Sequence, residues 1–260
     1  MSQKLNLRFI QKNFNEFLTK FTDLTSIDDI VKIKLESGEF LMYSVISNES
    51  SISAFKGYTL KTDDFFENFN QDETYDFIIT SANKFAKNLK FINSEKLIKL
   101  DLLSKKSPDD DTVMHVRSIQ LSNDKLKIST IGGEQYRIKD LQKNLLKAKL
   151  NPKKSKWNFK LSNSDFSNIK KLSNINNEDK TLNINVDSGK VSFNEISKWE
   201  LEVDQINPIN SNIIFNKKYL SNINDDDEFI YFHIFENFIL IKDKDSDLML
   251  SFEQDFTNED

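Results

Sequence analysis

At 260 residues, with 30% charged residues, a net charge of −5 and a mean hydropathy of −0.54, the sequence reads as a soluble chain able to bury two ordinary cores. It has no cysteine, which excludes disulfides, thiolate nucleophiles and cysteine-based zinc sites. No apolar run nears the ~20 residues of a membrane helix, and Met1-Ser2-Gln3-Lys4 lacks the apolar stretch of a secretory signal, so no membrane association and a cytoplasmic location are expected.

In chain order, one unit recurs four times: a brief strand, an amphipathic helix of about three turns, then alternating strands. The first copy runs from Leu5–Phe9 into Phe14, Phe17, Leu18 and Phe21, then into Ile30–Leu35. The second runs from Phe77–Ile79 into Phe85, Leu89 and Ile92. Alternating strands follow over Val113–Leu121 and Lys125–Ser129, flanking the turn Ser122–Asp124. The third copy runs from Trp157–Leu161 into Phe166, Ile169 and Leu172, and the fourth from Ile213–Phe215 into Tyr219, Leu220 and Ile223. The chain closes on alternating strands over Phe229–Phe235, Phe238–Lys242 and Leu248–Phe252.

The copies pair into halves. Lys34–Phe40 and Asn185–Val191 each read as two strands meeting at a tight turn, with Gly38 or Gly189 supplying the positive φ. Gly38 follows Phe14 by 24 residues and Gly189 follows Phe166 by 23, the mark of an internal duplication of about 150 residues. Between the halves, Leu141–Lys156 combines Pro152 with a lysine cluster and reads as a linker, with the boundary near Asn151. The expected fold class is α+β, with short helices on antiparallel sheets, a first domain over 1–145, a connector over 146–156 and a second domain over 157–260.

Charge is distributed unevenly. Residues 11–21, 82–92, 164–173 and 216–222 carry +1, +3, +1 and +2, so the helices hold +7 and the remainder of this −5 chain holds −12. On each helix the apolar residues claim one face and leave most lysines on the other. Four repeat-related helices of one sign, gathered on one surface, would attract a polyanion without reading its sequence.

The four strand–helix–hairpin units, their basic outer faces and the lysine-rich connector together resemble the DNA sliding clamps. The likeness is to the two-domain clamps of myovirus-type phages and of archaeal and eukaryotic replication, a PCNA-like fold. It covers nearly the whole chain. The resemblance implies a non-enzymatic processivity factor without cofactor or metal, closed as a homotrimeric ring of six domains around duplex DNA. It implies as partners a replicative DNA polymerase and an ATP-dependent clamp loader. It also implies that Lys12, Lys20, Lys84, Lys87, Lys90, Lys170, Lys171, Lys217 and Lys218 face the phosphates, and that a partner peptide docks near Leu145, Leu146 and Leu150. Three features depart from the pattern: Glu16, Asp165, and the extra loop Ser104–Asp111. Asp165 is explained if it serves a helix N-terminus.

Other chemistry finds little support. His115 and His233 sit in predicted strands, with neither a nucleophile nor a metal-ligand companion at recognisable spacing. Asp109–Asp111 and Asp225–Asp227 lack the spacing of a calcium loop and read as solvated turns. Gly132-Gly133 lacks a phosphate-loop context, and Trp157 and Trp199 read as core or sheet residues. Two further readings stand: a phage structural or assembly protein of β-rich domains without DNA-encircling activity, and a metal enzyme using the aspartate clusters.

Overall fold

The structure is a computed structural model, and it describes residues 2–47, 52–67, 69, 72–93, 97–108, 110, 112–131, 150–175, 181–187, 190–193, 199–202, 211–223, 228–242 and 246–251. It resolves into two compact units, one of residues 1–46 and 56–140, the other of residues 47–55 and 141–260. The fold class is α+β, as the sequence pattern predicts.

In the first unit, β1 (Ser2–Arg8) leads through a 3₁₀ turn into α1 (Phe14–Leu24), followed by β2 (Val31–Leu35), β3 (Glu39–Ser47) and β4 (Ile52–Lys61), of which residues 52–55 are counted with the second unit. After the single turn α2 (Thr62–Phe65), β5 (Thr74–Ile79) enters α3 (Ala82–Ile92), then β6 (Lys99–Lys106), β7 (Val113–Ser122) and β8 (Lys127–Ile131). The strand order is β1-β6-β7-β5-β2-β3-β4, with β8 also on β7. The registered pairs are antiparallel except β5 with β7, which run parallel from Thr74↔Val113.

Why α1 and α3 form follows from spacing. Phe14, Phe17, Phe21 and Leu24 recur every three or four residues, as do Phe85, Leu89 and Ile92, so each helix turns one stripe onto the sheet. The stripes meet β-strand residues such as Leu7, Ile33, Leu35, Phe77, Leu100 and Leu102 in one core. Phenylalanine rings interlock there, with Phe9 against Phe14 at 4.9 Å edge to face and Phe21 against Phe85 at 5.4 Å. That second contact, with the Asn93 amide donating to Asn15 Oδ1 at 2.6 Å, sets α1 and α3 antiparallel. The β2–β3 turn holds Gly38 at φ +83°, a left-handed conformation that a side chain adopts only with strain.

The second unit repeats the order: β9 (Trp157–Ser162), α4 (Asn163–Ile175), β10 (Thr181–Asp187), β11 (Lys190–Phe193) and β12 (Trp199–Glu202). Then come β13 (Ser211–Asn216), the 3₁₀ helix Lys217–Asn222, β14 (Phe229–Ile234), β15 (Phe238–Lys242) and β16 (Ser246–Ser251). β16-β15-β14-β9 are neighbours in one sheet and β12-β11-β10-β13 in another. Phe232 lies flat on Phe159, with centroids 4.7 Å apart and planes 7° apart, between Phe166 of α4 and the strands.

Two expectations change. The fourth helix is six residues of 3₁₀ rather than three turns of α. Asn216 caps it by accepting from the Lys218 N–H, and the Ser221 hydroxyl donates back to the Lys218 carbonyl, the local bonding that competes with α-helix. β4 has no counterpart in the alternation reading. Ala54, Phe55 and Lys56 are all buried, so both faces are covered and period-two patterning is lost.

Candidate nucleic-acid interface

α3 displays the densest cationic face. Its stripe buries Ala82, Phe85, Ala86, Leu89 and Ile92, which leaves Lys84, Lys87 and Lys90 out of phase and exposed. None of the three enters an ion pair or hydrogen bond among the described residues, nor do Lys12 and Lys171. The helix has no acid in its own first turn, and Ser81 provides no side-chain cap. Asp29, preceding β2, fills that role. Its carbonyl accepts from the Ala82 N–H at 3.0 Å, and its carboxylate accepts from the Asn83 N–H at 2.6 Å. The anion thus sits at the positive end of the helix dipole while the outer face stays purely cationic.

α1 contributes less than its lysine count implies. Lys12 is exposed, just before the helix. Lys20 is corrected: it is 8% exposed, three residues after Phe17 and four before Leu24, hence on the border of the apolar stripe. Its ammonium lies 3.5 Å from Glu16 Oε1 and 5.0 Å from the Tyr58 ring centroid. Glu16, a sequence departure, is thereby compensated locally. Beneath it, Lys56 and the Tyr58 hydroxyl both engage the Asp23 carboxylate.

In the second unit, Ser162 caps α4 and its hydroxyl also holds Asp165. The Asp165 N–H donates to Ser162 Oγ at 3.1 Å, and the Ser162 hydroxyl donates to Asp165 Oδ2 at 2.5 Å. The acid therefore belongs to the helix end. Lys171 and Lys218 are exposed, with the Lys218 ammonium 4.6 Å from the Tyr219 ring centroid. Lys170 and Lys217 are turned to structural work instead. Lys217 Nζ donates to the Ser173 carbonyl at 2.7 Å, in the last turn of α4, and Lys170 Nζ donates to the Ile223 carbonyl at 3.0 Å, at the end of the 3₁₀ helix. Each ammonium meets the negative end of the neighbouring helix.

The structure thus leaves Lys12, Lys84, Lys87 and Lys90 free-standing in the first unit, and Lys171 and Lys218 outward in the second. Leu150 is 4% exposed and offers no docking surface of its own. Leu145 and Leu146 lie outside the described residues, as do Gly132-Gly133, Asp109, Asp111, Asp225–Asp227 and the Ser188-Gly189 turn.

The remaining titratable groups are structural in setting. His115 is half-buried in β7. His233, in β14, has a buried Nδ1 without a hydrogen-bond partner. Burial first, and the Lys242 charge second, hold it below the ordinary histidine range, while Asp247 pulls in the opposite direction. Asp110 accepts from the Thr112 hydroxyl at 2.6 Å and N–H at 2.9 Å, which holds its carboxyl below the usual range. Among the described residues no three metal-ligating side chains converge, and no helix is long and apolar enough to cross a membrane.

Solved structures resemble this arrangement across nearly its whole length. The PCNA2–PCNA3 complex of Sulfolobus tokodaii superposes with a TM-score of 0.60 over 96% of this chain and 99% of the other, at 11% identity. The fold is that of the sliding clamps. Proliferating cellular nuclear antigen from Entamoeba histolytica gives 0.59 over 96% and 98%, at 15% identity. The DNA polymerase III β subunit of Pseudomonas aeruginosa gives 0.66 at 12% identity, and there the clamp fold of this chain spans 66% of the longer protein. A Helicobacter pylori β clamp, solved with a DNA ligase peptide, gives 0.64 at 8% identity. No family model matches the sequence, and no curated protein does.

Sequence reasoning missed Phe91, an exposed aromatic amid the α3 lysines. Its signal was present: it is the one large apolar residue of that helix outside the Phe85–Leu89–Ile92 stripe.

Proposed function

We propose that this chain is a DNA sliding clamp: three copies close into a ring that encircles duplex DNA and tethers a replicative polymerase for processive synthesis. The observation that carries the reading is the clamp fold over 96% of the chain, matching 99% of a PCNA chain end to end. The exposed lysines of the 3₁₀ turn before α1, of α3, of α4 and of the 3₁₀ helix Lys217–Asn222 supply the supporting chemistry. Ammonium groups attract phosphate without reading bases, which suits a ring that moves along any sequence. No catalytic step is required of such a protein, because processivity comes from a topological link.

In this reading residues 1–145 and 157–260 are the two clamp domains and 146–156 their connector. A partner peptide docks beside that connector, and an ATP-dependent loader opens the ring. The test has two parts. Light scattering after size exclusion should give three times 30.4 kDa. The loaded protein should stay on closed circular duplex and leave when the circle is cut. A monomer that dissociates equally from circular and linear DNA would refute the proposal, and would favour an assembly protein of β-rich domains.

A further inference from the structure

We infer that the outer face of β1, β6, β7 and β8 is a docking surface for an acidic protein segment that carries an apolar side chain. The inference stands apart from the DNA-binding reading, because this face and the helices lie on opposite sides of the sheet. Leu5, Leu7, Leu100, Leu102, Ile119 and Leu121 enter the core with the stripes of α1 and α3. The residues that alternate with them therefore point outward. They include Lys4 and Arg8 of β1, Lys99 and Lys105 of β6 and Lys127 of β8, with Arg117 exposed at a bulge in β7. The one acid in these four strands is Asp101, which lies 3.0 Å from the Lys4 ammonium. A chain of net charge −5 thus gathers cations on a second surface, away from its basic helices.

Two features of this face oppose stability. The register sets Arg8 directly opposite Lys99, and the same row continues through Ser122 to Lys127. Like charges opposed across an antiparallel pair repel. Arg8, Lys99, Lys105 and Lys127 meet no carboxylate among the described residues. Leu103 points outward between Lys4 and Ser118 and is 44% exposed. Beside it the register shift at Leu103/Ser104 leaves Arg117 as an extra residue, the kind of bulge that re-aims side chains near functional sites.

One kind of partner answers both features. Phosphates alone would meet the cations and leave the leucine in water. Along β6, at about 3.4 Å per residue, Leu103 stands about 14 Å from Lys99 and about 7 Å from Lys105. An extended peptide matches all three when an apolar residue has a carboxylate four positions to one side and another two positions to the other. Its side chain covers Leu103 while its acids relieve the repulsion.

The test is the fluorescence anisotropy of labelled Glu-Glu-Glu-Glu-Leu-Glu-Glu-Glu-Glu with the full-length chain at low ionic strength, compared with the same peptide carrying serine for leucine and with a linear duplex. The parent should bind the leucine peptide about 3- to 9-fold more tightly than the serine peptide, the range expected from covering the exposed share of Leu103. Leu103→Ser should abolish that difference. Arg8→Gln, Lys99→Gln and Lys105→Gln combined should weaken both peptides about 3- to 150-fold, as expected for three exposed ion pairs, with duplex affinity unchanged. Absence of saturable peptide binding overturns the inference, as does equal affinity of the parent for the two peptides. Equal weakening of peptide and duplex by the combined variant overturns it too, and makes the face a surface for any polyanion. A parent that binds the leucine peptide but not DNA keeps this inference and fails the clamp reading, so the two failures are distinguishable.

Discussion

Replacing Lys84, Lys87 and Lys90 together by glutamine tests the cationic face most directly. At 1.5 Å of rise per residue the three ammonium stems span about 9 Å of α3. Duplex DNA presents one charge per about 1.7 Å of axis, so all three can meet phosphates at once. Each neutralised phosphate contributes a slope of about −0.9 in log affinity against log salt; losing three should flatten the slope by about 2.7. Between about 50 and 200 mM salt the parent should lose about 40-fold more affinity than the variant. Fluorescence anisotropy on a linear duplex at four or more salt concentrations reads this slope. The parallel control is Lys217→Met. Its ammonium is spent on the Ser173 carbonyl, so the salt slope should hold while unfolding stability falls by about 1–2 kcal/mol. An unchanged slope in the triple variant, or equal flattening by Lys217→Met, would refute the assignment of exposed and structural lysines.

Further outcomes are expected elsewhere. Phe232→Ala removes a ring stacked on Phe159 and should cost about 3–5 kcal/mol in chemical denaturation of the second unit. Ser162→Ala removes the N-cap of α4 and should cost about 0.5–2 kcal/mol by the same measurement. Gly38→Ala meets open space but must hold φ +83°, so a loss of about 1 kcal/mol is expected from backbone strain alone. His233 binds its proton more weakly folded than unfolded, so the unfolded chain takes up more protons as pH falls below about 6.5. Stability should therefore be full above that pH, decline as pH falls below it, and level off once the folded group titrates as well. His233→Gln should flatten the decline in a series of melts from pH 7 to pH 5.

The parts of the fold legible in the sequence were those with a single buried face. Phe14, Phe17 and Phe21 declare α1, and alternation over Phe229–Ile234 declares β14, because each element has one side in the core and one outside. β4 was hidden because Lys56, a cation, sits at 1% exposure and is answered by Asp23 from α1, a partner no local pattern encodes. The lysines divide along the same line. Lys84, Lys87 and Lys90 lie out of phase with the apolar residues and were readable as a face. Lys170 and Lys217 also look exposed in sequence, yet each finds the carbonyl end of another helix, 53 or 44 residues away. Counting charge located the basic helices, while the division into free and engaged ammonium groups required three dimensions.

Asp29 gives α3 a dependence on a remote part of the chain. The amides at the start of that helix are satisfied from a loop more than fifty positions earlier, while its own Ser81 leaves them unmet. A fragment beginning at Thr74 would therefore carry the lysines but fray at their first turn. Nucleation of the second repeat is tied to completion of the first, so folding of this half should be cooperative and α3 should not assemble alone.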